Sequence, residues 1–136
     1  MRLKSTGSDQ FSTGTKRVLV SAALLLWLSS IANADLEQGK RLYKENCVPC
    51  HGESGMGDGV GARSLPVRPA DHTNAAAMNG RSDAFLRDVI TKGGGAMGLS
   101  SFMPAWQGLF KDSEILDLVS YIRSLAASSS GSTSKR

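Results

Sequence analysis

Cys47-Val48-Pro49-Cys50-His51 is the stretch on which the reading of this chain turns. Two cysteines three positions apart, with a histidine directly after the second, form the C-x-x-C-H pattern of covalent haem attachment. Each residue is needed where it stands. The two thiols can each add to a vinyl group on one edge of a haem, and the adjoining imidazole is then carried to the iron as its proximal ligand. Cys47 and Cys50 are the only cysteines among 136 residues. None is left over for an all-cysteine zinc site or a second disulfide. A zinc set of two thiolates and two imidazoles would have to recruit His72, the only other histidine, and a histidine adjoining a cysteine fits zinc spacing poorly. A thioredoxin-like dithiol is expected beside a βαβ pattern, and the chain has no convincing strand run. A plain structural disulfide is the remaining rival.

Residues 1–34 read as an export leader. Lys16-Arg17 supplies positive charge, Val18 to Leu28 is an apolar run of eleven, and Ala32-Asn33-Ala34 is a small-x-small cleavage site before Asp35. The run is shorter than the roughly 20 residues a membrane-spanning helix needs. An uncleaved anchor is the alternative reading. No Arg-Arg pair marks a twin-arginine signal. Export to a bacterial periplasm, with cleavage near Ala34/Asp35 and no membrane span in the mature chain, agrees with the haem reading, because c-type haem is attached outside the cytoplasm.

The net charge of +4 belongs largely to segments outside the expected fold. Four of the sixteen basic residues and one of the twelve acidic ones precede Asp35, so the mature chain carries +1. Lys135 and Arg136 end a Ser-rich stretch, residues 126–136, whose composition predicts disorder. Without them the folded part carries −1, which gives no case for nucleic-acid binding. Residues 35–125 remain as one small domain, too small to make much of an apolar core without the haem.

Helical periodicity dominates that domain. Asp35 can cap a helix in which Leu36, Gly39, Leu42 and Tyr43 share a face, ending near Cys47 before Pro49. Gly39 within it costs about 1 kcal/mol relative to alanine, which makes sense if another backbone crosses there. Five glycines over residues 52–61 predict an irregular loop, extended by Pro66 and Pro69. Ala75–Asn79 is a short helical turn. Ser82 caps a second helix from Asp83 to about Lys92, ended by Gly93. A third runs from about Asp112 to Leu125, with Ile115, Leu116, Leu118, Val119, Ile122 and Leu125 as an apolar stripe and Tyr121 at its edge. No period-two run appears, so the chain reads as all-α: three main helices wrapped around one covalent haem.

Iron held by His51 needs a second axial ligand or leaves an open site. Met97 and Met103 lie in the loop between the last two helices, and Met103 precedes Pro104, which restricts its backbone to extended geometry. A thioether favours Fe(II) and raises the potential. Met103 is therefore the preferred ligand, with Met97 and then His72 or an open site behind it.

The ordered set of α-helix with Gly39 and Tyr43, Cys47-x-x-Cys50-His51, Met103-Pro104-Ala105-Trp106 and a closing helix with Val119-x-Tyr121-Ile122 resembles a bacterial class I monohaem cytochrome c. Arg68-Pro69-Ala70-Asp71 after a Gly-rich loop resembles the oxidase-associated and dehydrogenase-partner branch. The resemblance covers most of residues 35–125. It implies that the first and last helices cross at Gly39 beside Tyr43 and Tyr121, and that Met103 ligates iron. It also implies a proline carbonyl, Pro66 or Pro69, as acceptor for the other His51 nitrogen, and Trp106, Arg63 and Arg68 near the haem propionates. Lys111 departs from the family's Ser or Thr before the closing helix, so capping is expected to shift to Asp112. The implied function is a periplasmic one-electron carrier, not an enzyme, meeting redox donors and acceptors transiently. Two alternatives are a haem c subunit bound stably to a dehydrogenase or oxidase, and a five-coordinate haem protein that binds gas or reacts with peroxide.

Overall fold

The computed structural model describes residues 35–132, with side chains to 129. The expected leader, residues 1–34, and the terminal Lys135-Arg136 lie outside them. Helix α1 spans residues 35–46. It is followed by α2 (Val48–His51), α3 (Ala75–Asn79), α4 (Asp83–Lys92) and α5 (Asp112–Ser132), with short 3-10 turns at Val60–Ser64 and Gly95–Met97. No strand forms among the described residues, and one isolated bridge pairs Gln107 with Phe110. The all-α expectation holds.

Local chemistry explains the helix ends. The Ser82 hydroxyl accepts the Phe85 N–H at 3.1 Å and opens α4, which closes at Gly93 with φ +80°. Asn74 caps α3 in the same way through the Ala77 N–H. At α5 the expected shift of capping to Asp112 does not occur. Lys111 occupies the cap position, and the Glu114 carboxylate reaches back to accept its backbone N–H at 2.8 Å. This is the acidic half of a capping box working without a cap hydroxyl.

Helix α5 is the spine. Ile115, Leu118, Val119 and Ile122 are buried against α3 and α4, where Met78, Leu86 and Ile90 complete the core. Full burial of an Ile or Leu side chain contributes about 1.5–3 kcal/mol. Leu116 drops out of the expected stripe and is exposed. Arg123 ties the bundle together: its guanidinium donates to Asp83 Oδ1 at 2.7 Å, to the Met78 carbonyl at 2.6 Å and to the Arg81 carbonyl.

Helices α1 and α5 cross at Gly39, as the resemblance implies. A Cβ built on Gly39 would stand 2.6 Å from the Asp117 carbonyl carbon and inside contact with its oxygen, with Tyr121 Cβ 3.1 Å away. Only a glycine admits that approach. Tyr43, one turn on, is fully buried and packs on Tyr121 with ring centroids 5.2 Å apart.

The expected boundary at Leu125 is corrected. Helix α5 continues through residues 126–132, Ala126 is buried, and the Ser129 hydroxyl donates to the Thr73 carbonyl at 2.5 Å. Serine composition predicts disorder, but a buried alanine and a tertiary hydrogen bond outweigh it.

Candidate haem site

The attachment motif folds as one turn. Cys47 takes the cap position of α2, Pro49 sits in its first turn, where its missing N–H costs nothing, and His51 ends it. The Cys50 and His51 amides both donate to the Cys47 carbonyl, so the thiols and the imidazole are set by a single local unit.

The His51 ring has a fixed tautomer. Its Nδ1 lies 3.1 Å from the Ala70 carbonyl oxygen, which can only accept, so Nδ1 carries the proton and Nε2 keeps its lone pair. Burial holds the imidazole below its usual pKa, against the Ala70 bond that favours the charged form. A neutral histidine with Nε2 free is the form that ligates iron. The acceptor corrects the expectation of Pro66 or Pro69. It is the next residue along, because Pro69 is used differently: its carbonyl lies where a Cβ on Gly57 would be. Gly57, at φ +73°, lets the 52–59 loop run flat against residues 69–72, and its N–H donates to the His51 carbonyl at 2.7 Å.

Both thiols are free and partly accessible. Burial, then the neighbouring Cys50, pushes the Cys47 thiol up to about 12. A redox dithiol needs the opposite shift. No group of three or more His, Cys, Asp or Glu able to hold a metal ion occurs among the described residues, which leaves a zinc site without its ligands. The donor set on α2 therefore fits a covalent haem: two available thiols at the required spacing and one oriented, neutral imidazole.

His72 turns up in the site in an unexpected role. It is buried, and its ring lies flat on that of His51, centroids 4.3 Å apart and 16° from parallel. Tyr43 Oη is 3.1 Å from His72 Nδ1. A ring lying flat on His51 would share its side of a bound haem and would not supply the second ligand. Burial first, then His51 and Arg81, pulls the His72 imidazole down to about 3, and it stays neutral. Neither Ala70 nor the stacked His72 was legible in the sequence. A backbone acceptor has no residue signature, and the spacing of His72 says nothing of ring contact.

Met103 lies in the separate segment after α4, half-buried. Its N–H donates to the Ser100 carbonyl and its carbonyl accepts from Gly94. The following residues are tied to the last turn of α4, Trp106 N–H to Ile90 and Gln107 N–H to Thr91. Met97, also half-buried, ends a 3-10 turn in the same loop. Trp106 packs against the core with its indole stacked on Phe110, centroids 4.8 Å apart. Arg68 braces the 52–59 loop, donating to the Met56 and Gly57 carbonyls, while Arg63 is exposed at the end of its 3-10 turn.

Residues 34–122 match the family described as cytochrome c oxidase, cbb3-type, subunit III. The chain is 33% identical over 92 residues to the cbb3-type cytochrome c oxidase subunit FixP of Bradyrhizobium diazoefficiens, covering 67% of this chain and 28% of that one. It is 33% identical over 94 residues to subunit CcoP of Azospirillum sp., covering 65% and 28%. The chain thus spans little more than a quarter of the length of these relatives. Among solved structures it resembles the Kuenenia stuttgartiensis reducing HAO-like protein complex Kustc0457/Kustc0458, with a TM-score of 0.54 and 27% identity over 65% of this chain and 41% of that one. Among the described residues no helix is long and apolar enough to cross a membrane. The matched span takes in α1 to the first half of α5 and the whole attachment motif, and the chain belongs to the cbb3-type cytochrome c oxidase subunit III family of c-type cytochromes.

Proposed function

We propose that the chain is a one-electron relay carrying a single haem bound through thioethers to Cys47 and Cys50, with His51 and Met103 as its axial ligands. The observation that carries this reading is the His51 ring, held neutral with Nδ1 spent on Ala70 and Nε2 free, one residue from an available thiol. The haem, when bound, supplies the Fe(III)/Fe(II) couple. The chain's own residues orient the imidazole, bury it, and hold the methionine segment on α4 so that little moves when an electron arrives. The exposed apolar side chains Val60, Val67, Leu99, Phe102 and Leu109 lie on the two long loops, where a flat apolar group and a partner surface can use them.

The names of the relatives are oxidase subunits. They favour a haem module bound to an oxidase-type complex over a freely diffusing carrier, and the export reading puts that encounter in the periplasm. The relay transforms no substrate of its own. Cys47→Ala with Cys50→Ala should abolish haem that survives denaturing electrophoresis, and the wild type should give a six-coordinate low-spin spectrum. Covalent haem persisting in the double variant would refute the attachment. Co-purification of the tagged, matured chain with a haem-containing membrane complex supports the subunit reading. Recovery as an isolated redox-active monomer returns it to a free carrier.

A further inference from the structure

We propose that His72 is a positioning residue for His51, a flat wall that stops the ligand ring from rotating. The inference rests on the reading of His51 as an iron ligand and adds a residue to it. One hydrogen bond does not fix an imidazole. The Ala70 carbonyl restrains the ring at Nδ1 but still tolerates partial rotation about the Cβ–Cγ bond, a broad torsion for an imidazole. The His72 ring, 4.3 Å away and 16° from parallel, blocks that swing on one face.

The wall is itself anchored by two partners. Its main chain N–H donates to the Gly55 carbonyl at 2.7 Å. Tyr43, fully buried in α1, meets its Nδ1 at 3.1 Å and contacts it edge-on, with centroids 5.8 Å apart. Tyr43 is backed in turn by Tyr121 of α5. Ala70 and His72 also belong to one short segment, so the in-plane restraint and the face restraint move together. That segment is stiffened by Asp71, whose carboxylate accepts both the Thr73 N–H and hydroxyl, at 2.8 and 2.6 Å. Groups around a ligand that fix its orientation and exclude solvent tune the potential of the bound metal, and a ring wall against the imidazole does both.

The test compares His72→Leu with His72→Phe in the matured protein. Phenylalanine keeps the flat face and loses the Tyr43 hydrogen bond; leucine keeps apolar bulk and loses the face. The readouts are the g-values of the ferric protein and its midpoint potential. Wild type and His72→Phe should show one sharp low-spin species with closely similar g-values. His72→Leu should show a shifted or broadened set and a displaced potential. If the leucine variant fails to load haem, His72→Gln, which offers Tyr43 a polar partner but no ring, takes its place in the comparison. g-values and potential unchanged in the ring-less variant overturn the inference. So does an equal change in the ringed and ring-less variants, because the flat face would then not be the operative feature. A wild type without covalent low-spin haem instead defeats the reading of His51, and is seen before any His72 variant is made.

Discussion

Met97 and Met103 occupy one loop, and the proposed site takes only one sulfur. The main chain around Met103 is fixed from both sides, by Ser100 and by Gly94, and Pro104 removes the freedom that remains. Met103→His should give a bis-imidazole haem of lower potential, because imidazole is the stronger donor to Fe(III). Met103→Ala should let the reduced protein bind carbon monoxide, whereas Met97→Ala should leave it six-coordinate. A carbon monoxide difference spectrum of the two alanine variants decides the assignment, and a Met97 variant that alone binds the gas would reverse it. The two methionines were legible as candidates from their loop, and Pro104 ranked them. The partner of the His51 Nδ1 was legible only as a neighbourhood. Sequence carries proline identities but not which carbonyl of a turn faces inward, so the choice fell one residue short of Ala70.

At Gly39 the contact of α1 with α5 is made by backbone. Gly39 lies against the Asp117 carbonyl and Tyr121 Cβ, one or two residues before the Val119 and Ile122 of the face that amphipathic pattern alone suggests. The apolar stripe marks what α3 and α4 bury; it is silent about a seam where a missing side chain is the contact. In an open helix Gly39→Ala would gain about 1 kcal/mol of propensity. Here overpacking costs about 1–3 kcal/mol, and the net effect should be a lower thermal midpoint with a native ferrous spectrum. A raised midpoint would mean that the seam opens without cost. Asp117 pays at the same place. Burial, then Asp35 and Glu114, raises its carboxyl above the usual value. A folded pKa above the unfolded one means stability that is complete below the unfolded pKa and is lost as pH rises through the folded one. Asp117→Asn should therefore be more stable than wild type at pH 7, with the difference vanishing near pH 3. Urea midpoints across that range measure it, and a variant less stable at pH 7 would contradict the sign.

At the scale of the whole molecule, one helix joins three of the others. Helix α5 touches α1 at Gly39, α3 and α4 through its buried stripe, and the 71–74 loop through Ser129. Truncation after Leu125 should lower the thermal midpoint, because it removes buried Ala126 and the Ser129 bond to Thr73; an unchanged midpoint would show that the last two turns are dispensable. Composition hid this, since serines at a helix end look the same whether they are solvated or tied down. The three main helices and the attachment motif were legible because each is a local pattern, of period, cap and spacing. The Gly39 crossing was legible through its glycine and the resemblance; what was not legible, the His51–His72 stack and the extension of α5, depends on residues far apart in the chain. That same division has a consequence for how the molecule is assembled. The motif and its acceptor lie within residues 47–72 and are closed by short loops, as in the bonds of Gly57 to His51 and of His72 to Gly55. The seam joins Gly39 to Asp117 across most of the domain, and closing a longer loop costs more entropy. A chain that folds by closing its short loops first can therefore offer both thiols before α5 packs. The carboxyl-terminal helix then serves as a latch, bringing Tyr121 up behind Tyr43 last.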